Sequence, residues 1–399
     1  MYFLEKNIKI GRWVLPLPAI LWFSLAALAA ILELSRGLGD INNYLIYEGV
    51  FRHLHDQQKL YLEYPKEYFD ANHYGPVFSL IIAPFTFLPV QLGCFLWCLT
   101  NAFVLFYAIR QLPLSNSQRN IILLIGMIEM MTSIHSVQFN PMLTGWVVLS
   151  FISVEKRQPI LATLYIALGM YIKLYGIIGL AFFFFSKDQL RFVLSFAFWV
   201  LCLFFLPMLI SSPGFVLQSY LDWYHSLVDK NISNVTALAM GGGMQDISLM
   251  GMARRISNNS QLSNFWAIIP AGILYIIPFF RKSQFSSLAF RLYYLALALI
   301  GVVIFSSSAE SPTYVIAVTG VAIWFIIERQ INPQLAKYLL ILTFLLTILS
   351  PTDLVPRYIK QEWIIRYSLK ALPCSIIWVL LIFRLLFTRF DSIKLLNNE

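Results

Sequence analysis

Charge is scarce in this sequence. Asp, Glu, Lys and Arg together make 12% of its 399 residues, about half the usual share for a soluble domain. A water-soluble globule of this size is excluded. Disorder is excluded too: low hydrophobicity and high charge keep chains unfolded, whereas 59% of this one is hydrophobic and 16% aromatic. The expected fold class is an all-α polytopic membrane protein. Several catalytic signatures are missing as well. There is no Asp-x-Asp, so the usual metal clamp for a cytosolic nucleotide-sugar is absent. There is no Walker A sequence, because Gly241 to Gly243 is followed by Met244 and Gln245. Neither H-E-x-x-H nor G-x-S-x-G occurs. The four cysteines, Cys94, Cys98, Cys202 and Cys374, all sit in apolar runs, where a packing role outweighs a disulfide or a metal ligand. His53, His55, His73, His135 and His225 form no standard metal pattern and are expected on the surface. No metal or cofactor is implied.

What is present is a series of apolar runs at 13–34, 76–109, 120–133, 141–154, 159–186, 190–210, 265–280, 288–306, 312–327, 338–350 and 370–388. A spanning helix needs about 20 such residues. No A-x-A-like cleavage site follows the first run, which is long for a signal-peptide core, so it is expected to stay as an anchor. Basic residues flank the runs in groups: Lys6/Lys9/Arg12, Arg110/Arg119, Lys156/Arg157, Lys187/Arg191, Arg281/Lys282/Arg291, Arg329/Lys337 and Arg384/Arg389/Lys394. Short cytoplasmic loops collect Lys and Arg, so all of these are placed inside. The net charge of +9 then reads as a topology signal rather than a nucleic-acid patch. About 12 crossings follow, or about 13 if Pro84 and Pro89 break 76–109 into two helices.

Basic residues flank 159–186 on both sides, so this segment is expected to enter the membrane and return. Each arm of about 14 residues spans roughly 21 Å, short of a hydrocarbon core of about 30 Å. Lys173 therefore belongs at a sunken tip. The pair 120–133 and 141–154 repeats the pattern around His135, Gln138 and Asn140. Irregular backbone at membrane depth needs protein or a water-filled cavity over it, so the two turns imply a cavity opening outward. Two long external segments complete the layout. Residues 35–75 carry Asp40, Asn43 and Tyr44 with amphipathic stretches, and 211–264 carry the glycine triplet and a helical polar/apolar alternation from Asp246 to Ile256. With no tandem repeat, 1–399 reads as one membrane unit.

Four groups of residues are candidates for chemistry. Asp40, just past the first crossing, can accept a proton from an attacking hydroxyl; the alternative is a solvated loop or helix-end carboxylate. Lys173 at membrane depth costs about 2.5–3.5 kcal/mol unless it is paired or solvated. A lipid phosphate would satisfy it, as would an ion pair with Glu129 or snorkelling. Arg254 and Arg255 suit a phosphate or a headgroup layer equally. Glu310 either meets sugar hydroxyls or favours the helix starting at Pro312, with Ser311 as its cap.

The order of these pieces resembles glycosyltransferase family 87. The residues carrying the resemblance are Asp40 and Tyr44, Tyr61, His73-Tyr74-Gly75-Pro76, the breaks near Pro84 and Pro89, and Leu96-Trp97 with Asn101. Further along come Gln138-Phe139-Asn140-Pro141, Lys173-Leu174-Tyr175-Gly176 and Ser311-Pro312-Thr313-Tyr314. The resemblance implies a GT-C fold, a helical bundle with interfacial helices in the first external loop. It implies an inverting hexosyltransferase using a polyprenyl-phosphate sugar, often mannose, without cofactor. The family's essential first-loop Asp falls on Asp40. Donor phosphate is then expected at Lys173, Arg254 and Arg255. Substrate contacts are expected at Asn43, Tyr44, His73, Tyr74, Gln138, Asn140, Glu310 and Tyr314. The implied partners are the lipid-linked donor, a glycolipid or glycan acceptor and membrane lipids, with no nucleic acid. The implied location is a bacterial inner membrane with the site facing the periplasm or exterior. A transporter or lipid flippase is the alternative from another class, with polar residues lining a passage; a non-catalytic assembly subunit is a third.

Overall fold

The computed structural model describes residues 7–10, 13–236, 245–391, 393 and 395. The glycine triplet and Lys6, Arg12 and Lys394 of the basic groups lie outside the described residues. The first apolar run does not start as a helix. Strand β1 (Asn7–Ile10) pairs antiparallel with β2 (Trp13–Pro16). Helix α1 (Leu17–Arg36) begins just after Pro16, with Pro18 in its first turn, where a missing N–H costs nothing.

The chain separates into two compact units. One comprises Leu21–Gln111 and Ser133–Lys230; the other comprises Met1–Ile20, Leu112–Thr132 and Asn231–Glu399. Elements of the first, after α1, are α2 (Asn42–His55), α3 (Phe78–Thr86) and α4 (Val90–Gln111). Most of α5 (Asn116–His135) belongs to the second unit. The first unit resumes with α6 (Asn140–Glu155), α7 (Pro159–Lys173), a 3₁₀ helix (Leu174–Phe185), α8 (Gln189–Phe205) and most of α9 (Pro213–Thr236). The second continues with α10 (Leu249–Ser257), α11 (Phe265–Ile276), α12 (Leu288–Ile304), α13 (Tyr314–Ile331) and α14 (Pro333–Thr343). It ends with the short α15 (Arg357–Ile359) and α16 (Leu372–Phe387).

Six described segments are long and apolar enough to cross a membrane: Leu17–Arg36, Val90–Gln111, Pro159–Phe185, Gln189–Leu209, Ser311–Ile331 and Leu369–Phe387. Three shorter apolar helices, Phe265–Phe280, Leu288–Ile304 and Pro333–Ile348, join them. The expected total of about 12–13 crossings is larger than the six such segments among the described residues. Burial separates their roles. On α8, Leu190, Val193, Leu194, Phe198, Leu201 and Phe205 are all exposed. Their spacing of three and four residues makes one apolar stripe, which in a membrane protein faces lipid. Helices α12 and α13 are apolar all round and almost wholly buried, as central helices must be.

The run 76–109 resolves into two helices. Pro84 lies inside α3 and Pro89 precedes α4, with the chain leaving helix geometry over 87–89. Only α4, with 22 residues, has the length of a crossing.

The 27 residues Pro159–Phe185 do not form one straight helix, despite their apolar length. A Cβ on Gly176 would stand 2.5 Å from Gly169 Cα and 2.6 Å from Met170 N. Residues seven apart in a straight α-helix are separated by about 10 Å along its axis, so the chain folds back on itself. The reversal falls at Lys173 and Leu174, whose backbones leave the α region. The returning arm is a 3₁₀ helix whose buried residues are Gly176, Gly179 and Phe182. Their spacing of three matches the 3.0 residues per turn of that helix, so one face, with a glycine at two of its three positions, lies flat against α7. The expected hairpin with Lys173 at its tip is therefore present.

Candidate active site

The site is built on aromatic side chains of the first unit. Tyr74 stacks on Phe78 with centroids 4.7 Å apart, and Tyr47, Trp97 and Phe139 meet Phe78 edge-on at 5.0, 5.8 and 5.8 Å. Such offset and edge-to-face pairs add to area burial and fix ring positions. They place three polar tips in register. Tyr74 Oη donates to Gln138 Oε1 at 3.2 Å and lies 3.1 Å from Tyr47 Oη. Lys173 Nζ donates to Asn140 Oδ1 at 2.8 Å and lies 5.9 and 5.3 Å from the ring centroids of Tyr74 and Tyr175. The tip of the hairpin thus meets the first residue of α6. The half-buried ammonium near two tyrosine faces is attracted by the ring quadrupoles, worth about 0.5–1 kcal/mol per contact.

The Asn72–Pro76 loop locks this arrangement. Asn72 bridges Tyr74, accepting from its N–H at 2.9 Å and donating to its carbonyl at 3.0 Å, and Tyr61 Oη donates to the same carbonyl at 3.0 Å. Gly75 N–H donates to Ile172 O at 3.1 Å. A Cβ there would collide with Tyr171 O and touch Trp223 at 3.0 Å, so only glycine lets the loop sit against the hairpin tip. His73 pairs through Nδ1 with Ser226 Oγ at 2.9 Å, and its carbonyl accepts from Trp223 Nε1 at 2.9 Å. Burial, with Lys230 nearby, lowers the His73 pKa to about 4, so its ring is neutral. It is a clamp between this loop and α9, not the free surface histidine expected.

Of the remaining expected residues, Asp40 is exposed, in the turn Gly37–Asp40 that precedes α2. Asn43 Nδ2 donates to Ser136 O at 2.7 Å, which ties the start of α2 to the turn carrying Gln138 and Asn140. Tyr44 is fully buried, donates to Phe85 O at 3.1 Å and abuts Gly93; its hydroxyl joins α2 to the end of α3. Two further histidines depart from the surface reading. His53 is buried against Tyr64 with Glu67 3.3 Å away. His135 Nδ1 lies 2.6 Å from Glu33, which also takes Arg36 at 2.8 Å.

In the second unit, Arg254 is buried. Its guanidinium donates to Asp246 at 2.6 Å, to Leu262 O at 2.8 Å and to Asn264. Burial pushes the Asp246 carboxyl up, against the pull of Ser248 and Arg254. The pair holds the segment leading into α10 and is not presented to solvent. Arg255 is half-buried and donates to Ile365 O at 2.7 Å and Gln245 O at 3.0 Å. Glu310 accepts from Gln245 at 3.3 Å, and its N–H donates to Thr313 Oγ1 at 3.2 Å. Glu310, not Ser311, takes the cap position. Ser311 Oγ instead accepts from Lys370 Nζ at 2.9 Å. Tyr314 is buried and donates to Ile247 O at 2.8 Å. Glu129, considered above as a partner for Lys173, takes Lys370 at 2.8 Å.

A cavity of about 370 Å³ lies at the foot of the hairpin, between Arg157 and Trp199. It includes none of the expected site residues.

The apolar helices and the lysine-tipped hairpin define an integral multi-pass membrane protein with a polar cluster. The family model of glycosyltransferase family 87 matches residues 72–351, and the chain belongs to that family. It is a membrane glycosyltransferase, working on a sugar donor and an acceptor. The match takes in the Asn72–Pro76 loop, both turns and Lys173; Asp40, Asn43 and Tyr44 precede it. No curated protein matches the chain.

Proposed function

We propose that the chain moves a hexose, mannose being the leading candidate, from a polyprenyl-phosphate donor to a lipid-linked or polysaccharide acceptor, on the extracytoplasmic face of a bacterial inner membrane and with inversion. The observation carrying this reading is the 2.8 Å contact between Lys173 and Asn140, which gathers an ammonium, amides and tyrosine hydroxyls in one cluster of a chain of this family. Phosphate is the leaving group, and a cation beside it stabilises the charge that develops as the glycosidic bond breaks. Asn140 holds Lys173 in place, and Gln138 and the Tyr47–Tyr74 hydroxyl pair offer hydrogen bonds to sugar hydroxyls. Asp40 takes the proton from the acceptor hydroxyl as that oxygen attacks the anomeric carbon opposite the phosphate. A general base contributes about 10²–10⁴-fold.

The test is a transfer assay in nanodiscs with a panel of polyprenyl-phosphate sugars. Asp40→Asn should lower turnover by about 10² or more while donor binding is retained. Lys173→Gln should weaken donor binding itself. Near-normal turnover by Asp40→Asn removes the carboxylate from the proposed role. Donor binding unchanged in Lys173→Gln removes the lysine.

A further inference from the structure

The foot of the hairpin lies about 21 Å along α7 from Lys173, at 1.5 Å per residue. It holds two adjoining cavities of the first unit, of about 370 and 230 Å³. Arg157, Gln158, Pro159 and Arg191 line both. Lys187 and Asp188 help to complete the smaller one, so three cations stand against one carboxylate. Asp188 is engaged as the cap of α8, where it accepts from Arg191 N–H at 3.0 Å. The side chains of Arg157, Lys187 and Arg191 are exposed and have no hydrogen bond or ion pair among the described residues. Arg157 also occupies a backbone position that favours glycine. Its φ is 58°, its N–H donates to Val154 O at 3.0 Å, and that of Gln158 donates to Ser153 O at 2.8 Å. This paired closure ends many helices, with glycine the usual residue in the left-handed position. A Cβ is disfavoured there, so the arginine stands against the local backbone preference.

The larger cavity adds an apolar wall of Ile160, Leu161, Leu164 and Trp199. Ile160 and Leu161 are exposed, and Trp199 Nε1 donates to Ile160 O at 2.9 Å. Arg191 comes between Leu190 and Leu194 of the lipid-facing stripe on α8. Cations and apolar surface therefore meet at one end of these helices, beside a tryptophan, the side chain enriched where membrane meets water.

We infer that these two cavities bind the headgroup of an anionic phospholipid carrying two phosphates, with Arg157, Lys187 and Arg191 pairing the phosphates and the apolar wall receiving the first methylenes of the tails. The lipid belongs to the leaflet opposite the Lys173 cluster. Short loops rich in Lys and Arg collect on the cytoplasmic side, and basic pockets between helices there bind such headgroups. Three cations against one carboxylate balance two phosphates, whereas a single phosphate leaves a positive charge unmatched. The site goes beyond the transferase reading and requires no sugar transfer.

The test adds tetraoleoyl-cardiolipin, dioleoyl-phosphatidylglycerol, dioleoyl-phosphatidylcholine or inorganic diphosphate to the purified full chain in detergent. Bound lipid is read by native mass spectrometry and the unfolding midpoint by thermal melt. Cardiolipin should bind more tightly than phosphatidylglycerol and raise the midpoint, which phosphatidylcholine and diphosphate should leave unchanged. Arg157→Gly and Arg191→Gln should each weaken cardiolipin binding by about tenfold, the scale of one charge-assisted hydrogen bond. Without lipid, Arg157→Gly should melt at or above the parent midpoint, because glycine suits a φ of 58°; its loss of binding is then not a loss of fold. Cardiolipin binding no better than either other lipid, equal stabilisation by inorganic diphosphate, or parent-like binding by both variants would overturn the inference. Lys173→Gln should bind cardiolipin as the parent does. A tenfold loss in that variant would put the lipid in the proposed transferase site and overturn the inference as well.

Discussion

Replacing Gly176 with alanine tests whether backbone contact between the hairpin arms positions Lys173. The added Cβ would lie 2.5 Å from Gly169 Cα, whereas carbon atoms attract best at about 3.5–4.0 Å. The arms must part by about 1 Å, because the atoms it meets are backbone and no rotamer change relieves them. Overpacking of this kind costs about 1–3 kcal/mol. The change sits three residues from Lys173, so the ammonium is carried off Asn140. A misplacement of about 1 Å at a reacting centre can cost about 10²-fold in rate. Gly176→Ala should therefore lower the unfolding midpoint and cut sugar transfer by about that factor, with every polar site residue still present. Gly272→Ala is the control. It lies in α11 with nothing within 4 Å of an added Cβ, and alanine favours a helix over glycine by about 0.5–1 kcal/mol. Both variants would be compared by thermal melts and the transfer assay. If Gly176→Ala melts and turns over like Gly272→Ala, the close packing does not set the position of Lys173 and the reasoning fails.

Lys370→Met should destabilise the protein by about 3–5 kcal/mol, because it strands the buried Glu129; adding Glu129→Gln should recover most of that loss in denaturant titrations, and additive losses would refute the pairing. His73 supplies a pH dependence. Its folded pKa of about 4 lies below the ordinary value of about 6.5, so between the two the unfolded chain binds a proton that the folded chain refuses. Stability is then flat above about 6.5 and falls as pH drops toward about 4. His73→Gln should flatten that acid limb in thermal melts taken across pH, and an unchanged slope would exclude His73 as its source.

How much of this was legible in the sequence depended on whether the physics was local. The hairpin could be read because lysine and arginine at both ends of 159–186 force a return, and because an arm of about 14 residues is too short to cross. Lys173 followed as its tip. The 3₁₀ geometry of the returning arm had a signal that was not read: Gly176, Gly179 and Phe182 repeat every three residues, the period of that helix rather than of an α-helix. The buried ion pairs had no such signal. Glu129 and Lys370 are 241 residues apart, and Glu33 and His135 are 102 apart; nothing in either neighbourhood names the other. Glu33 was hidden at the end of an apolar run, and the histidines looked like surface residues because a ring that clamps two segments has the same one-letter neighbourhood as one in water.

The same distinction explains why the expected phosphate ligands fared differently. Arg254 and Arg255 are adjacent and chemically identical, yet the helical period turns one toward Asp246 and the other toward a cavity beside Ile365. A basic pair on a helix of nine residues points in directions about 100° apart, so composition could mark the pair but only packing could divide it. Lys173 shows the same limit: charge at both ends of 159–186 places it at a tip, but its partner, Asn140, 33 residues away in sequence, is set by packing, as is the pairing of Glu129 with Lys370 instead.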